Sequence, residues 1–268
     1  MPPPDPPASG GPPSSETVRW PGSPGGVGSF GDLTLVPGSL SVLPVRGIGE
    51  IHPGDDLARL LADHGDFRDG DVVVVTQKVV SKAEGRLVPL DGDDPAARRS
   101  LAEAEAVRVL RRRGDLVITE TSHGFVCANA GVDLSNVDEG WAALLPEDPD
   151  RSARRLRDGL RARAGVTVGV IVSDTFGRAW RRGVTDIAIG CAGVAAVADL
   201  RGSVDERGRV LVATEVCIAD EIAAAAELVM GKAAGVAAAI VRGIDPRWLR
   251  PGSVADEIVR PPAEDLFR

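Results

Sequence analysis

The sequence is poor in the residue types that many metal and nucleophilic sites use. It contains three cysteines, three histidines and no tyrosine. Cys127, Cys191 and Cys217 have neither zinc-knuckle nor C-x-x-C spacing, and the histidines have no H-E-x-x-H spacing. There is also no G-x-S-x-G motif. These absences argue against a structural zinc site, a thiol redox centre and a serine-hydrolase triad.

Long apolar runs and excess positive charge are absent too. No stretch reaches the roughly 18 apolar residues that a membrane span needs, and the N-terminus lacks a basic start followed by an apolar core. We therefore expect a cytoplasmic protein with no membrane partner. The net charge is −8, with 31 basic and 39 acidic residues, which argues against a nucleic-acid partner. A local basic pocket for a small phosphorylated ligand is still compatible with this charge.

The composition divides the chain into three parts. Residues 1–38 are rich in Pro, Gly and Ser and hold ten of the twenty prolines, so they cannot bury enough apolar surface to offset chain entropy. We predict a disordered leader over 1–38, a folded domain over 39–250, and a C-terminal extension or linker over 251–268.

Alternating strand and helix patterns predict a mixed α/β fold. Runs of β-branched residues indicate strands buried on both faces. The predicted strands are Ser39–Val45, Val72–Val75, Val166–Val172 and Val236–Val241, with a hairpin of Leu116–Thr119 and Phe125–Ala128. The predicted helices are Asp55–Leu61, Pro95–Arg113, Ser152–Ala164 and Ala219–Gly231.

Oxygen-bearing side chains follow two of these strands. Asp133 and Asn136 come after the predicted hairpin, and Asp174 and Thr175 follow Val166–Val172. Carboxylates are hard ligands suited to Mg²⁺ or Mn²⁺, and ends of parallel strands are where α/β folds bind ligands. The alternative is that Asp133 caps a turn and that Asp174 and Thr175 cap a helix.

Basic residues accompany these clusters. Lys82 follows the strand Val72–Val75 and is a candidate phosphate contact, unless its segment is only a solvated amphipathic one. Arg178, Arg181 and Arg182 offer guanidinium groups for a carboxylate or a phosphate, unless they lie on a solvated face. No Walker P-loop is present. A divalent metal held by Asp133 and Asp174, with basic residues around it, fits phosphoryl transfer.

Several runs, in this order along about 200 residues, resemble the coenzyme F-420-0:L-glutamate ligase family. The matching runs are Leu43-Pro44-Val45-Arg46-Gly47-Ile48, Gly54-Asp55-Asp56-Leu57, Val79-Val80-Ser81-Lys82-Ala83-Glu84-Gly85-Arg86, Asn129-Ala130-Gly131-Val132-Asp133, Ser135-Asn136-Val137, Ser173-Asp174-Thr175-Phe176-Gly177-Arg178, Arg181-Arg182-Gly183 and Ala219-Asp220-Glu221.

The resemblance implies a GTP-dependent ligase that joins L-glutamate to the terminal carboxylate of F-420-0 and can add further γ-linked glutamates. It implies an acyl-phosphate intermediate, release of GDP and phosphate, and Mn²⁺ or Mg²⁺ as cofactor, with K⁺ as a further candidate. It also implies mixed sheets in two intertwined lobes, and a homodimer.

The resemblance also assigns roles to single residues. Metal positions fall on Asp133, Asp174 and Thr175, and we add Arg178 to the two aspartates as a catalytic candidate. Lys232 stands where some members have an acidic or amide residue near the metal, so a protonated Lys232 would leave that place to water or contact phosphate. The implied nucleotide contacts are Ile48, Gly49, Glu50, Ile51, Gln77, Lys82, Asn136, Met230, Gly231 and Lys232.

Two alternatives to this function stay open at the level of sequence. The same ligase chemistry could act on a different carboxylate acceptor. The chain could instead be a non-catalytic GTP-binding module, although such a module has no need of both Asp133 and Asp174.

Overall fold

The computed structural model describes residues 38–90 and 94–266. The predicted leader lies outside the described residues, apart from Gly38. All described residues fall within one unit that spans residues 35–268. Each helix in these ranges falls short of the length and apolarity that a bilayer crossing requires.

The described residues form twelve strands and six α-helices, which confirms the mixed α/β class. The strands are β1 (Ser41–Val45), β2 (Val72–Thr76), β3 (Leu87–Pro89), β4 (Ala106–Arg113), β5 (Leu116–Thr121), β6 (Val126–Ala128), β7 (Trp141–Ala143), β8 (Gly169–Arg178), β9 (Arg181–Ala192), β10 (Ala198–Asp199), β11 (Glu215–Val216) and β12 (Ala238–Arg242). The helices are α1 (Leu57–His64), α2 (Gln77–Ala83), α3 (Pro95–Ala104), α4 (Pro149–Ala164), α5 (Ile218–Met230) and α6 (Val254–Glu257).

A five-stranded sheet in the order β1-β12-β2-β8-β9 forms the centre of the fold. β2 and β8 are parallel, and their register pairs Thr76 with Ser173. The other neighbours in this sheet are antiparallel. Helices α4 and α5 pack against it, which explains why the four valines of β2 are at most 1% exposed. Polar residues that follow β2 and continue β8 therefore share one edge of the sheet.

A second, smaller core is built from the chain between α2 and α4. It contains the three-stranded sheet β4-β5-β6, the pair β3-β7 and helix α3. Its buried side chains include Val117, Val132 and Leu144. Because this segment leaves the central sheet after β2 and returns to it at β8, its loops reach the same edge as Thr76 and Ser173.

The predicted helix over Pro95–Arg113 is wrong in its second half. The chain is helical only to Ala104 and then forms β4. Pairing of β4 with β5 decides this, since the two strands meet at a turn where Gly114 has a φ of 59°. Backbone pairing across this hairpin overrides the helical pattern of charges that favoured one long helix.

Two further predictions need correction. The strand expected to end at Val172 continues through Asp174 to Arg178, because it pairs with β9 along its whole length. Asp174 and Thr175 are therefore strand residues and do not cap a helix. The segment 251–268, predicted to be a C-terminal extension or linker, contains α6, whose Val254 is fully buried in the large core.

One buried ion pair connects β12 to the start of β2. Arg242 donates to both carboxylate oxygens of Asp71, over 2.8 and 2.7 Å, and to the carbonyl oxygen of Asp66. The side chains of Arg242 and Asp71 are 8% and 1% exposed. Removing one member of such a pair leaves an uncompensated buried charge.

We predict that Arg242→Met lowers the free energy of unfolding by about 3–5 kcal/mol, since the Asp71 carboxylate would stay buried without its partner. Urea unfolding followed by circular dichroism measures this. Arg247→Met is the matched control, because Arg247 pairs with Asp245 in solvent; it should leave the unfolding midpoint unchanged. Equal effects of the two variants would contradict the prediction.

Candidate active site

A cavity of about 670 Å³ opens at the edge of the sheet where β2 ends and β8 continues. It is lined by residues around the central sheet and by three polar residues of the segment that carries the smaller core, Asp133, Ser135 and Asn136. It brings together twelve of the residues expected at the site, which are Gly49, Glu50, Ile51, Gln77, Lys82, Asp133, Asn136, Asp174, Thr175, Met230, Gly231 and Lys232. These twelve residues therefore lie together around one cavity, an arrangement that depends on a topology the sequence could not supply.

Asp174 is the carboxylate in this cavity that has no cationic side chain bonded to it. Its one hydrogen bond comes from the backbone N–H of Thr175, over 2.8 Å. Burial, together with the nearby charges of Asp133 and Asp186, raises the pKa of Asp174 to about 7 against the lowering effect of that hydrogen bond. The side chain therefore needs either a proton or a cation close to it.

Asp133 lies across the cavity from the sheet and is already paired. Lys78 Nζ lies 2.8 Å from its Oδ2, and Ser135 donates to its Oδ1 from both the backbone N–H and the hydroxyl. Burial alone would raise the pKa of Asp133, but the bonds from Lys78 and Ser135 hold it below its usual value. Asp133 is thus ionised and ready to act as an oxygen ligand.

A second carboxylate group surrounds Lys232, just after α5. Lys232 Nζ lies 2.8 Å from Asp186 Oδ1 and 3.1 Å from Glu227 Oε1, and it also donates to the hydroxyl of Thr175. Asp186, only 2% exposed, also accepts from the hydroxyls of Ser173 and Thr175. The cross-strand register places Thr175 opposite Asp186 and so builds this group.

A glycine-rich loop after β1 closes another side of the cavity. Gly49, where φ is 79°, allows the turn, and the next residue, Glu50, forms an ion pair with Lys82 of α2. The Lys82 side chain is 9% exposed and Glu50 is mostly solvated. The hydrogen bond from Lys82 lowers the pKa of Glu50 despite opposing partial burial. Glu50 thus neutralises the cation that we expect to bind a phosphate.

Three expected site residues do not present their side chains as predicted. The Gln77 amide donates to Ser81 Oγ and to the carbonyl oxygen of Leu144, so it holds α2 against the smaller core. Ile48 packs against the large core and does not line the cavity. Arg178 lies exposed near the β8–β9 turn, where it donates to the carbonyl oxygen of Arg182, and is also outside the lining.

Sequence reasoning missed four residues of the site, which are Lys78, Ser135, Asp186 and Glu227. Asp186 had a visible signal, because it is an acidic residue beside the apolar run Ile187–Ile189. Glu227 is an acidic residue in the last turn of the Ala-rich α5. Neither signal indicates a partner, since the contacts of both residues with Lys232 depend on the tertiary fold.

The charged side chains around the cavity indicate whether a divalent cation could bind there. In the described structure, the cavity is lined by four carboxylates (Glu50, Asp133, Asp174 and Glu227) and three ammonium groups (Lys78, Lys82 and Lys232), so carboxylates are in excess, and Asp186 lies outside the lining, bonded to Lys232. No group of three His, Cys, Asp or Glu side chains among the described residues could hold a metal alone. Mg²⁺ typically takes one or two carboxylates together with substrate phosphates. Asp133 and Asp174 fit that requirement.

A known protein family matches the part of the chain that builds this cavity. The family model described as F420-0:Gamma-glutamyl ligase matches residues 47–243. The chain belongs to this family. The match spans every residue that lines the cavity, so the family assignment and the described site concern the same part of the chain.

Curated relatives agree with this assignment. A protein of Methanopyrus kandleri is 46% identical over 248 residues, which is 86% of this chain and 98% of the relative. One of Methanothermobacter thermautotrophicus is 42% identical, over 85% and 99% of the two chains. One of Archaeoglobus fulgidus is 43% identical, over 85% and 96%. Each of the three is named Coenzyme F420:L-glutamate ligase.

The raised pKa of Asp174 predicts that the stability of the metal-free protein falls as the pH rises. Because the pKa of Asp174 is about 7 in the folded state, compared with 3.8 for an ordinary aspartate, the associated stabilisation is present at low pH and lost as pH rises through 7. We predict that Asp174→Asn is more stable than the wild type by about 2–4 kcal/mol at pH 8, and equally stable at pH 4.

Urea unfolding in the presence of a chelator at both pH values measures this difference. Asp256→Asn, at an exposed position of α6, is the control for removal of an aspartate and should not reproduce the pH-dependent gain. An Asp174→Asn protein that shows the same stability difference at pH 4 and pH 8 would contradict the charge environment inferred for Asp174.

Proposed function

We propose that this chain is a GTP-dependent and divalent-metal-dependent ligase that joins L-glutamate to coenzyme F-420-0. The names of the relatives support the acceptor and the amino acid. The observation that carries the proposal is the pair Asp133 and Asp174 in a cavity with excess negative charge. An anionic nucleotide would be repelled from such a cavity unless a cation entered with it.

Asp133 and Asp174 are the residues that hold this cation in our proposal. A divalent ion at these carboxylates neutralises charge that develops on the transferred phosphoryl group. A bound divalent ion would compensate the buried charge of Asp174, which destabilises the metal-free protein when it is ionised.

Lys82 and the loop residues Gly49 to Ile51 form the phosphate-binding side in this proposal. An ammonium group is a compact point charge suited to phosphate oxygens. In the absence of a nucleotide Lys82 is paired with Glu50, so phosphate binding exchanges one negative partner for another. The space beside Gly49 is open, since no atom lies within 4 Å of the place where a Cβ would be. A ligand can therefore approach the backbone of Gly49 closely.

The chemistry that we propose has two steps. A carboxylate oxygen of the acceptor attacks the γ-phosphorus of GTP, and the bond to the β-phosphate oxygen breaks to release GDP. The amine of L-glutamate then attacks the acyl carbon, loses a proton and expels phosphate. A free carboxylate is a poor acyl donor, so phosphorylation supplies the leaving group, and exclusion of water protects the intermediate.

A homodimer in the cytoplasm completes the proposal. The turn between β8 and β9 carries Trp180, which is 86% exposed, and Val184 of β9 is 61% exposed. Exposed apolar side chains of this size suit contact with another protein surface. Arg178, which lies outside the cavity lining, has no role in the proposed reaction.

A ligation assay tests the proposed reaction directly. The purified protein is incubated with GTP, Mn²⁺, L-glutamate and F-420-0, and products are analysed by mass spectrometry with each component omitted in turn. We predict a product heavier by one or more glutamyl groups that requires both GTP and metal. Asp174→Ala should stay folded and lose at least about a hundredfold in GTP turnover.

Two results would contradict the proposal. A folded protein that binds GTP yet gives no product would favour another carboxylate acceptor or a non-catalytic GTP-binding module. An Asp174→Ala variant with metal-dependent turnover equal to that of the wild type would exclude Asp174 as a metal ligand.

The Glu50–Lys82 pair gives opposite predictions for its two members. Lys82→Gln should weaken GTP binding about tenfold or more, since a charge-assisted hydrogen bond to phosphate is lost. Glu50→Gln should strengthen GTP binding, because Lys82 would no longer need to leave a carboxylate. Isothermal titration calorimetry with GTP and Mg²⁺ measures both effects.

Arg46→Gln is the matched control, because it removes a positive charge from the same loop at an exposed position outside the cavity lining. It should leave the GTP dissociation constant unchanged. A shift of the same sign in Lys82→Gln and Glu50→Gln would exclude competition between Glu50 and phosphate for Lys82.

A further inference from the structure

Three oxygen atoms surround the ammonium group of Lys232, as oxygen ligands surround a metal cation. The ammonium group has three N–H donors, and three oxygen partners are present. They are Asp186 Oδ1 at 2.8 Å, Glu227 Oε1 at 3.1 Å and the hydroxyl of Thr175. These partners come from β9, α5 and β8, so Lys232 joins three separate elements of the fold.

Thr175 is committed to this arrangement. Its hydroxyl donates to Asp186 Oδ1 over 2.6 Å and accepts from Lys232. Thr175 is therefore not free to act as a metal ligand while Lys232 is in place, in contrast to the role that the family resemblance implies for it. Asp174, the neighbouring residue, has no ammonium group bonded to it.

The burial of Asp186 explains why a cation is needed at this position, and Lys232 supplies that cation. The carboxylate of Asp186 is 2% exposed, so water cannot solvate its charge, and a buried carboxylate without a cation is strongly destabilising. Burial alone would lower the pKa of Lys232, but Asp186 and Glu227 raise it above its usual value. The ammonium group therefore stays charged beside Asp186.

We propose that Lys232 is a built-in cation that fills the position between Asp186, Glu227 and Thr175 and limits the site to one divalent ion, at Asp133 and Asp174. Lys232 is a positioning residue in this account, because it fixes Thr175 and Asp186 and leaves Asp174 as the carboxylate open to the metal. The inference rests on the proposed function in one respect, which is that Asp133 and Asp174 bind a divalent ion.

The number of Mn²⁺ ions bound per chain tests this inference without an activity assay. Equilibrium dialysis followed by metal analysis is applied to the wild type, Lys232→Gln and Lys232→Arg. We expect about one Mn²⁺ in the wild type and in Lys232→Arg, which keeps the positive charge. We expect one more in Lys232→Gln, because Asp186, Glu227 and Thr175 would then offer three oxygen ligands to a metal.

Thermal unfolding provides a second readout. Without divalent ions, Lys232→Gln should unfold at a lower temperature than the wild type, since Asp186 loses its counter-charge. Mn²⁺ should raise the midpoint of Lys232→Gln by more than it raises that of the wild type, by mass action at the additional site. Lys232→Arg should behave like the wild type in both conditions.

Equal Mn²⁺ numbers in a folded Lys232→Gln and the wild type would overturn the inference. Two Mn²⁺ ions in the wild type would overturn it even if Lys232→Gln failed to fold. Asp174→Asn separates this inference from the proposed function. If Asp174→Asn binds as much Mn²⁺ as the wild type, the proposed metal position fails, whereas the comparison of Lys232→Gln with the wild type still decides the role of Lys232.

Discussion

Charge compensation around two carboxylates on adjacent strands is the constraint on which the site depends. Asp174 and Asp186 lie on β8 and β9, whose register is fixed by backbone pairing. Burial makes an ionised carboxylate costly unless a cation is near it. Lys232 supplies that cation to Asp186, and Asp174 is left to a proton or a metal. In our proposal, this difference between the two carboxylates is what gives the cavity one place for a divalent ion.

The topology brings the remaining groups to these carboxylates. Because β2 and β8 are parallel, α2 begins beside the exposed edge of the sheet and directs Lys78 and Lys82 towards the cavity. The smaller core is inserted between β2 and β8 and supplies Asp133. The site is therefore assembled from segments far apart in the chain, and its electrostatics depend on the packing of both cores.

Much of this arrangement could be predicted from the sequence. Continuous β-branched runs identified β2 and the start of β8, and the motifs identified Asp133 and Asp174. The prediction was wrong where strand pairing decides the structure. The residues of β4, for example, were predicted to continue the preceding helix. It also missed Asp186, because one acidic residue in an apolar strand does not reveal its partner. The exposed position of Arg178 followed from a hairpin that the sequence did not predict.

The most direct test of the proposed ligase mechanism is the fate of the acceptor's carboxylate oxygens. F-420-0 labelled with ¹⁸O in its terminal carboxylate is incubated with the protein, GTP, Mn²⁺ and L-glutamate, and the released phosphate is analysed by mass spectrometry. An acyl-phosphate intermediate predicts that each released phosphate carries one oxygen from that carboxylate. Glutamyl product accompanied by unlabelled phosphate would contradict activation of the carboxylate by phosphoryl transfer.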